Sequence, residues 1–168
     1  MPLDKKGYTL IELMVVIVLL GLIFTIATPK IRDALFRDEL KGATRQMVGL
    51  ITRLRNEAIR EHKDYMLHFD LESNRFWFDS PTMTEEERAR IAADASPLMG
   101  QVDIMDVWIS GEGKIMLGEV RIRINKKGYI QQSIIHLGME DNREFTLLLS
   151  PFLRRVEVYD EYIEFEDI

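Results

Sequence analysis

The chain begins with an apolar stretch of membrane length, which constrains the fold more than any other feature. From Tyr8 to Thr28 there are 21 residues and a single charge, that of Glu12. A helix of this length spans roughly 31 Å, close to the thickness of the hydrocarbon core of a bilayer. Because only a helix satisfies all its backbone polar groups within one segment, the sequence predicts one membrane-inserted helix at the N-terminus.

An ordinary secretory signal fits this stretch poorly. Such signals have an apolar region of about 7–15 residues and a cleavage site of small residues, whereas this run is longer and is followed by Pro29 and Lys30. A carboxylate placed in the bilayer, as Glu12 is here, costs several kcal/mol unless it is neutralised or paired, which suggests a function. The alternative is a shallow Glu12 that reaches interfacial water.

Residues 5–13, KKGYTLIEL in one-letter code, resemble the class III signal of type IV pilins and type II secretion pseudopilins. The resemblance implies that a prepilin peptidase cuts between Gly7 and Tyr8 and that the new terminal amine of Tyr8 is methylated. Tyr8 stands where the family usually has Phe, so an aromatic residue is kept. Pro29 lies where the family commonly has a proline in this helix.

The resemblance also implies a role for Glu12 in filament assembly. Cleavage creates a positive amine at Tyr8, and the Glu12 carboxylate of one subunit can face the Tyr8 amine of a neighbour. In a medium of low dielectric constant each charge is costly alone and tolerable as a pair. Such a pair can fix the register between subunits.

Composition bounds the remaining function classes. The chain has 168 residues and no cysteine, which excludes disulfides, thiol catalysis and cysteine-based metal sites. The net charge of the chain is −6. Residues 1–29 sum to zero, and residues 30–62 carry eight basic and five acidic side chains, so residues 63–168 carry a net charge of −9. An acidic globular part argues against general binding to a phosphate backbone, and nucleic acid is not an expected partner.

Charge alone does not orient the membrane helix. Lys5 and Lys6 precede it, but Lys30, Arg32 and Arg37 follow it. The basic residues on the two sides nearly balance, so the positive-inside rule does not decide the orientation. The family resemblance implies a cytoplasmic N-terminus and a single pass through the inner membrane, with the C-terminal head in the periplasm.

The chain divides into four predicted segments. Residues 1–7 are a leader, residues 8–29 a transmembrane and filament-core helix, residues 30–62 an amphipathic helix and residues 63–168 a β-rich head. In residues 30–62, apolar side chains recur every three or four positions and predict a helix that needs a packing partner. Pro29 removes one N–H and predicts a kink between the two helical parts.

The sequence of the head predicts short strands separated by turns. Thr84 is followed by three glutamates in the form of a capping box, which predicts a surface helix through Ala93. Residues 159–168 carry five acids and form an acidic closing segment. The predicted strands are Tyr65–Phe69, Arg75–Phe78, Val102–Ile109, Lys114–Leu117, Glu119–Ile124, Tyr129–His136, Glu144–Leu149, Val156–Tyr159 and Tyr162–Phe165.

The fold class predicted is α+β and pilin-like: a long N-terminal helix, membrane-inserted in its first half, packed on a C-terminal antiparallel β-sheet or sandwich. The aromatic hairpin that contains Trp77, together with Arg53, Glu57 and Ala58, resembles the H-type minor pseudopilins, the GspH/FimT family. This second resemblance is carried by residues 50–78.

The sequence offers no pattern for catalysis, and the prediction is that the chain is not an enzyme and has no cofactor. His62, His68 and His136 lack metal-ligand spacing and are expected to be structural or on the surface. No nucleophile elbow or phosphate loop is present in the sequence. A calcium site made by Asp94, Asp103 and Asp106 is conceivable, although their spacing matches no known loop.

The predicted function is that of a minor pseudopilin of a type II secretion system, assembled through its N-terminal helix near the tip of the pseudopilus. The implied partners are other pseudopilins, the prepilin peptidase and the inner-membrane assembly platform. A FimT-like minor pilin that binds DNA for uptake is the alternative, for which Arg121, Arg123, Lys126 and Lys127 are the basic group. A major pilin or pseudopilin subunit is a third possibility.

Overall fold

The protein consists of an N-terminal helix followed by a β-rich head. The computed structural model describes residues 9–140, 142–153 and 155–167, and at positions 24–38 and 167 it describes the backbone alone. The elements are α1 (Leu10–Glu61), β1 (Tyr65–Asp70), β2 (Arg75–Asp79), α2 (Glu85–Ala93), β3 (Ser96–Pro97), β4 (Asp103–Ile109), β5 (Gly113–Ile115), β6 (Glu119–Ile124), β7 (Ser133–Gly138), β8 (Glu144–Leu149), β9 (Glu157–Tyr159) and a 3-10 turn (Phe165–Asp167).

The chain forms two compact units, Met1–Asp38 and Glu39–Ile168. The second unit, which joins the C-terminal part of α1 to the predicted head of residues 63–168 and is called the head below, contains two antiparallel sheets. One sheet has the strand order β3-β2-β1-β6 and the other the order β5-β4-β7-β8-β9. An isolated bridge between Ile124 and Ile130 marks the point where the chain leaves the first sheet for the second.

The core of the head lies between one face of α1 and the strands. Alternation in β6 places Val120, Ile122 and Ile124 inside while the arginines between them stay exposed. All six residues of β7 are buried, so this strand is covered on both faces. The buried side chains of α1 recur every three or four residues, as an amphipathic helix requires: Leu40, Ala43, Met47, Leu50, Ile51, Leu54 and Ala58.

The predicted fold class is confirmed, with a few differences in the strands. β6 and β8 have the predicted bounds, and the other paired strands differ by one to four residues at their ends. The strand predicted at Tyr162–Phe165 is wrong, because this segment crosses the face of the second sheet without pairing along an edge and ends in the 3-10 turn. The short strand β3 was not predicted, since two residues leave no periodic signal.

The predicted cap of α2 is confirmed. The Thr84 hydroxyl accepts from the Glu87 N–H at 3.3 Å, and the Glu87 carboxylate accepts from the Thr84 N–H at 2.8 Å. Both bonds satisfy donors that the first turn would leave unpaired. The Thr84 N–H lowers the pKa of Glu87, so its carboxylate remains ionised in the cap.

Replacing Thr84 by Ala is expected to destabilise α2 by about 1 kcal/mol, because the Glu87 N–H loses its acceptor. Amide hydrogen exchange would show faster exchange over residues 85–93 and unchanged exchange in β7. Glu86→Ala is the control, since Glu86 is an exposed neighbour outside the two capping bonds. Equal exchange in both variants would contradict the capping role.

Several predicted features of the N-terminal unit lie outside the described residues. Gly7 and Tyr8, the predicted cleavage and methylation positions, are among them, as is the side chain of Pro29. Position 29 lies within the bounds of α1, and the kink there stays a prediction. Among the residues that are described, no helical stretch is both long and apolar enough to cross a membrane.

Candidate functional site

The candidate site for assembly is the start of α1, residues 9–23, called the assembly segment below. Its large apolar side chains from Leu10 to Ile23 are between 45% and 78% exposed. They lie on every side of the helix, a pattern found where a helix is surrounded by other helices or by lipid. Such a segment is suited to contact with other helices or with lipid.

Thr9 fixes where this helix begins. Its hydroxyl accepts a hydrogen bond from the Glu12 N–H at 3.2 Å, and its carbonyl accepts from the Leu13 N–H at 3.1 Å. Thr9 is thus the N-cap, and Glu12 is the third residue of the first turn. The pattern T-x-x-E was present in the sequence and could have identified this cap.

Glu12 lies in the first turn with an exposed side chain. Negative charge is favourable at a helix N-terminus, where unpaired N–H groups leave a partial positive charge. The carboxylate is therefore oriented at the end of the helix that would carry the cleaved terminus. The predicted partner, the amine of Tyr8 in a neighbouring subunit, lies outside the described residues, and the pairing stays a prediction.

A second polar cluster, which sequence reasoning missed, holds the C-terminal segment on the second sheet. His136 is buried; its Nδ1 lies 2.6 Å from Asp106 Oδ1 and its Nε2 lies 3.0 Å from the carbonyl oxygen of Ile163. The Tyr162 hydroxyl donates to Asp106 Oδ2 at 2.9 Å, and its ring stacks on His136 at 3.7 Å. Asp106 and His136 are 30 positions apart in the sequence, so no local spacing predicts that they pair.

Further contacts tie down the same segment. Thr146 donates to the carbonyl of Glu161 at 2.6 Å and accepts from the Ile163 N–H at 3.0 Å. Phe165 stacks on Trp108 with ring centroids 3.9 Å apart. We call this set of contacts the C-terminal latch. It explains why β7 is buried on its outer face as well as its inner one.

Lys114 adds a cation to the latch. Its Nζ lies 3.0 Å from Glu164 Oε1 and 3.8 Å from Asp106 Oδ2. A hydrogen bond with the Tyr162 phenol and then one with Glu164 raise the pKa of Lys114. Burial is the main cause that raises the pKa of Tyr162. The latch is therefore a satisfied ionic and hydrogen-bonded network, and its geometry is that of a structural contact.

His68 is also buried, on the outer face of the first sheet. Its Nδ1 lies 2.8 Å from Glu119 Oε1, its Nε2 lies 3.4 Å from Asp79 Oδ2, and its ring stacks on Trp77. Arg121 also binds Glu119, and this hydrogen bond is the main reason that the pKa of Glu119 is lowered. The expectation that His68 is structural agrees with this arrangement, and His62 is exposed as expected.

The conceivable calcium site does not form. Asp106 is engaged by His136, and Asp103 accepts from the Asn74 amide at 2.9 Å. Within the described ranges, no three metal-ligating side chains come together.

The basic group that the DNA-binding alternative needs is partly neutralised. Arg121 binds Glu119 at 2.8 Å, and Arg123 binds Asp64 at 2.7 Å. The Asp64 carboxylate also accepts from the Lys126 N–H at 2.9 Å. Two of the four cations thus already have carboxylate partners, which weakens the attraction of this group for a phosphate backbone.

Comparison with known proteins agrees with this geometry. Residues 3–28 match the family described as the prokaryotic N-terminal methylation motif. The chain is 26% identical over 149 residues to type II secretion system protein H of Pseudomonas aeruginosa, covering 87% of this chain and 83% of that protein.

Solved structures of similar fold include two of the minor pseudopilin EpsH from the type II secretion system of Vibrio cholerae. One superposes with a TM-score of 0.55 at 11% identity and covers 76% of this chain and 97% of that one. The other has a TM-score of 0.50 at 12% identity, with coverage of 73% and 97%. The structural likeness concerns the fold, and with the motif and the relative it confirms the predicted resemblance to H-type pseudopilins.

Proposed function

We propose that this chain is a minor pseudopilin of a type II secretion system, which assembles through its N-terminal helix into a pseudopilus that supports protein export. The observation that carries the proposal is the assembly segment: an exposed helix start, apolar on every side, with one carboxylate at its first turn. This segment lies within residues 3–28, which match the N-terminal methylation motif.

The physical role of the assembly segment is to exchange lipid for neighbouring helices. An all-apolar helix is stable in a bilayer, and it is equally stable at the centre of a helical bundle, so transfer from one to the other has a small free energy. Glu12 then favours the bundle, where a neighbour's amine can neutralise it. Withdrawing the helix from the bilayer before neighbouring helices cover it still requires work, which an external assembly motor would supply.

Processing and location follow from the same proposal. The prepilin peptidase would cut after Gly7, and the amine of Tyr8 would be methylated. Before assembly the chain would be held in the inner membrane by one pass over residues 8–29, with its head in the periplasm. Its partners would be other pseudopilins and the assembly platform, its place near the tip, and its role mechanical rather than enzymatic.

The proposal is tested by export in a host that lacks the chain. Loss of a type II secretion substrate from the culture medium, restored by the intact chain and not by a chain that lacks residues 8–29, is the expected result. Pilus-dependent motility and DNA uptake should be unchanged. Normal export together with lost DNA uptake would favour the pilin alternative.

Replacing Lys126 and Lys127 by Ala is expected to leave DNA binding unchanged. Arg121 and Arg123 are already paired with Glu119 and Asp64, so two more lysines do not complete a phosphate-binding face. An electrophoretic mobility shift over a range of salt concentrations would measure this. Salt-dependent DNA binding by the natural chain that the double variant loses would contradict the expectation.

A further inference from the structure

Two depressions in the head meet at Lys127 and Tyr129, beside the C-terminal end of α1. The first, of about 370 Å³, lies between the helix and two loops and is lined by Ile59 and Phe152 among others. The second, of about 610 Å³, is lined by basic side chains that include Lys63 and Lys126. We call the surface formed by Ile59, Tyr129, Phe152, Lys63, Lys126 and Lys127 the helix-end patch.

The apolar half of the helix-end patch is held in place by one arginine. Arg55 Nε donates to the carbonyl of Gly128 at 2.9 Å, and its Nη1 donates to the carbonyl of Leu153 at 2.7 Å. Both loops are thereby fixed to α1. A surface ordered before binding loses little conformational entropy when a partner arrives.

Gly128 allows the close approach of its loop to the helix. A Cβ atom at this position would lie 2.7 Å from Cδ1 of Ile59, and the backbone φ of +80° favours glycine in any case. The loop therefore rests directly on Ile59 and presents the neighbouring Tyr129 beside it.

The three apolar side chains of the patch are exposed in the free chain. Phe152 is 89% exposed, Tyr129 51% and Ile59 49%. Apolar surface that clusters around a groove marks an interaction site, and aromatic residues are enriched at the centres of protein interfaces. The Phe152 side chain is not packed in the core of the head, so its exposed ring is available to a partner.

The rim of the patch is positive on a head that is otherwise acidic. Among its described lining residues, Lys126 and Lys127 contribute ammonium groups, while the Lys63 ammonium lies 3.8 Å from the Glu61 carboxylate and is partly neutralised by it. Asp64, the carboxylate in the same depression, is occupied by Arg123, whose guanidinium is the main cause that lowers the pKa of Asp64. Among the described residues, no carboxylate lies within ion-pair distance of the Lys126 or Lys127 ammonium group, while residues 63–168 carry −9 overall.

From this juxtaposition we infer that the helix-end patch docks an acidic segment with an apolar anchor, supplied by a neighbouring subunit of the filament. The anchor side chain lies in the groove between Ile59, Tyr129 and Phe152, and flanking carboxylates pair with Lys126 and Lys127. Charge complementarity selects such a partner and speeds its association. The inference rests on the proposed function, since it assumes a filament neighbour.

A protein segment fits the patch better than a nucleic acid does. Three exposed apolar side chains, Ile59, Tyr129 and Phe152, border the first depression, and the Asp64 carboxylate lies among the basic side chains of the second. A phosphate backbone would instead require a broad face of unpaired cations. The chain's own residues 159–168 show the chemistry expected of the partner, with five acids interleaved with aromatic and aliphatic side chains.

A labelled peptide with the sequence of residues 159–168 provides a direct probe. Titration of the full-length chain in detergent, followed by fluorescence anisotropy, is expected to show saturable binding. Phe152→Ala should weaken it about tenfold or more because the anchor contact is lost, and the double variant K126E/K127E should weaken it by a similar factor. Absence of saturable binding would overturn the inference.

Two exposed residues outside the patch provide matched controls. Leu117 is 74% exposed, and Arg90 is an exposed cation of α2. Leu117→Ala and Arg90→Glu should leave the affinity for the peptide unchanged within about twofold. Equal weakening by the controls and by the patch variants would overturn the inference, as would tighter binding of a duplex DNA of equal charge.

Photo-crosslinking in native membranes separates this inference from the proposed function. A photoreactive amino acid in place of Phe152 should crosslink to a pseudopilin peptide that contains carboxylates next to an apolar residue, and K126E/K127E should abolish the product. The same amino acid in place of Leu117 should not give it. A substituted chain that assembles normally but gives no such product overturns the inference alone, whereas failure of the natural chain to assemble overturns the proposed function.

Discussion

Replacing Glu12 by Gln is expected to reduce incorporation of the chain into filaments at least tenfold and to leave membrane insertion intact. Glutamine keeps the size of the side chain and is easier to place in hydrocarbon than a carboxylate, so insertion does not suffer. In the filament, however, the neighbour's terminal amine would remain buried without a counter-charge. Removing one partner of a buried pair costs about 3–5 kcal/mol.

Incorporation is measured as the fraction of the chain recovered with sheared filaments, and insertion as the fraction that resists extraction from membranes at high pH. Thr9→Ala is the control, because it removes the acceptor of the Glu12 N–H at 3.2 Å but keeps the charge. Loss of a helix cap costs only about 1 kcal/mol, so its effect should be much smaller. Normal incorporation of Glu12→Gln would refute the pairing.

Replacing Asp106 by Ala is expected to lower the free energy of unfolding of the head by about 3–5 kcal/mol. Asp106 is 3% exposed and binds His136 at 2.6 Å and the Tyr162 hydroxyl at 2.9 Å. Its removal leaves both groups without an acceptor and withdraws a counter-charge from Lys114. Since whole domains are stable by only about 5–15 kcal/mol, this is a large fraction of the total.

Urea denaturation of the full-length chain in detergent measures this loss, and Trp108 is a local reporter because its indole stacks on Phe165 within the latch. Asp160→Ala is the matched control, since Asp160 is an exposed carboxylate of the same segment. A change within about 0.5 kcal/mol is expected for the control. Equal midpoints for the two variants would show that the latch contributes nothing.

Much of the fold could be predicted from the sequence because its signals are local. The alternation of β6 and the three- and four-residue spacing in α1 each reflect one buried face, and the structure places those faces inside. The cap of α2 was equally visible, because Thr84 and Glu87 are three residues apart. In these three elements the patterns that depend on near neighbours were interpreted correctly, whereas the similar T-x-x-E pattern at Thr9 was not used.

The segment Tyr162–Phe165 shows where local patterns fail. Its aromatic and β-branched residues, Tyr162, Ile163 and Phe165, are typical of a strand. Its backbone hydrogen bonds nevertheless go to the side chains of Thr146 and His136, and its rings stack on the sheet face. The same composition suits a segment that lies across a sheet as well as one that pairs along its edge. Only the contacts with residues far along the chain decide between the two.

The histidine clusters could not be found from spacing. His68 contacts Glu119, 51 residues away, and His136 contacts Asp106, 30 residues away. Both contacts depend on which strands pair in the sheets, and no local pattern in the sequence predicts that pairing. The assembly segment differs again, since its partners belong to other molecules. For Glu12 the family resemblance supplied a role that one chain cannot display by itself.

Crosslinking combined with mass spectrometry on the native membrane fraction tests the central proposal most directly, because it reports the mature N-terminus and the partners together. We expect a chain that begins at a methylated Tyr8 and is crosslinked to other pseudopilins of a secretion system. Crosslinks to pilus subunits and captured DNA would support the pilin alternative. An uncut chain that begins at Met1 would contradict both processing and assembly through the N-terminal helix.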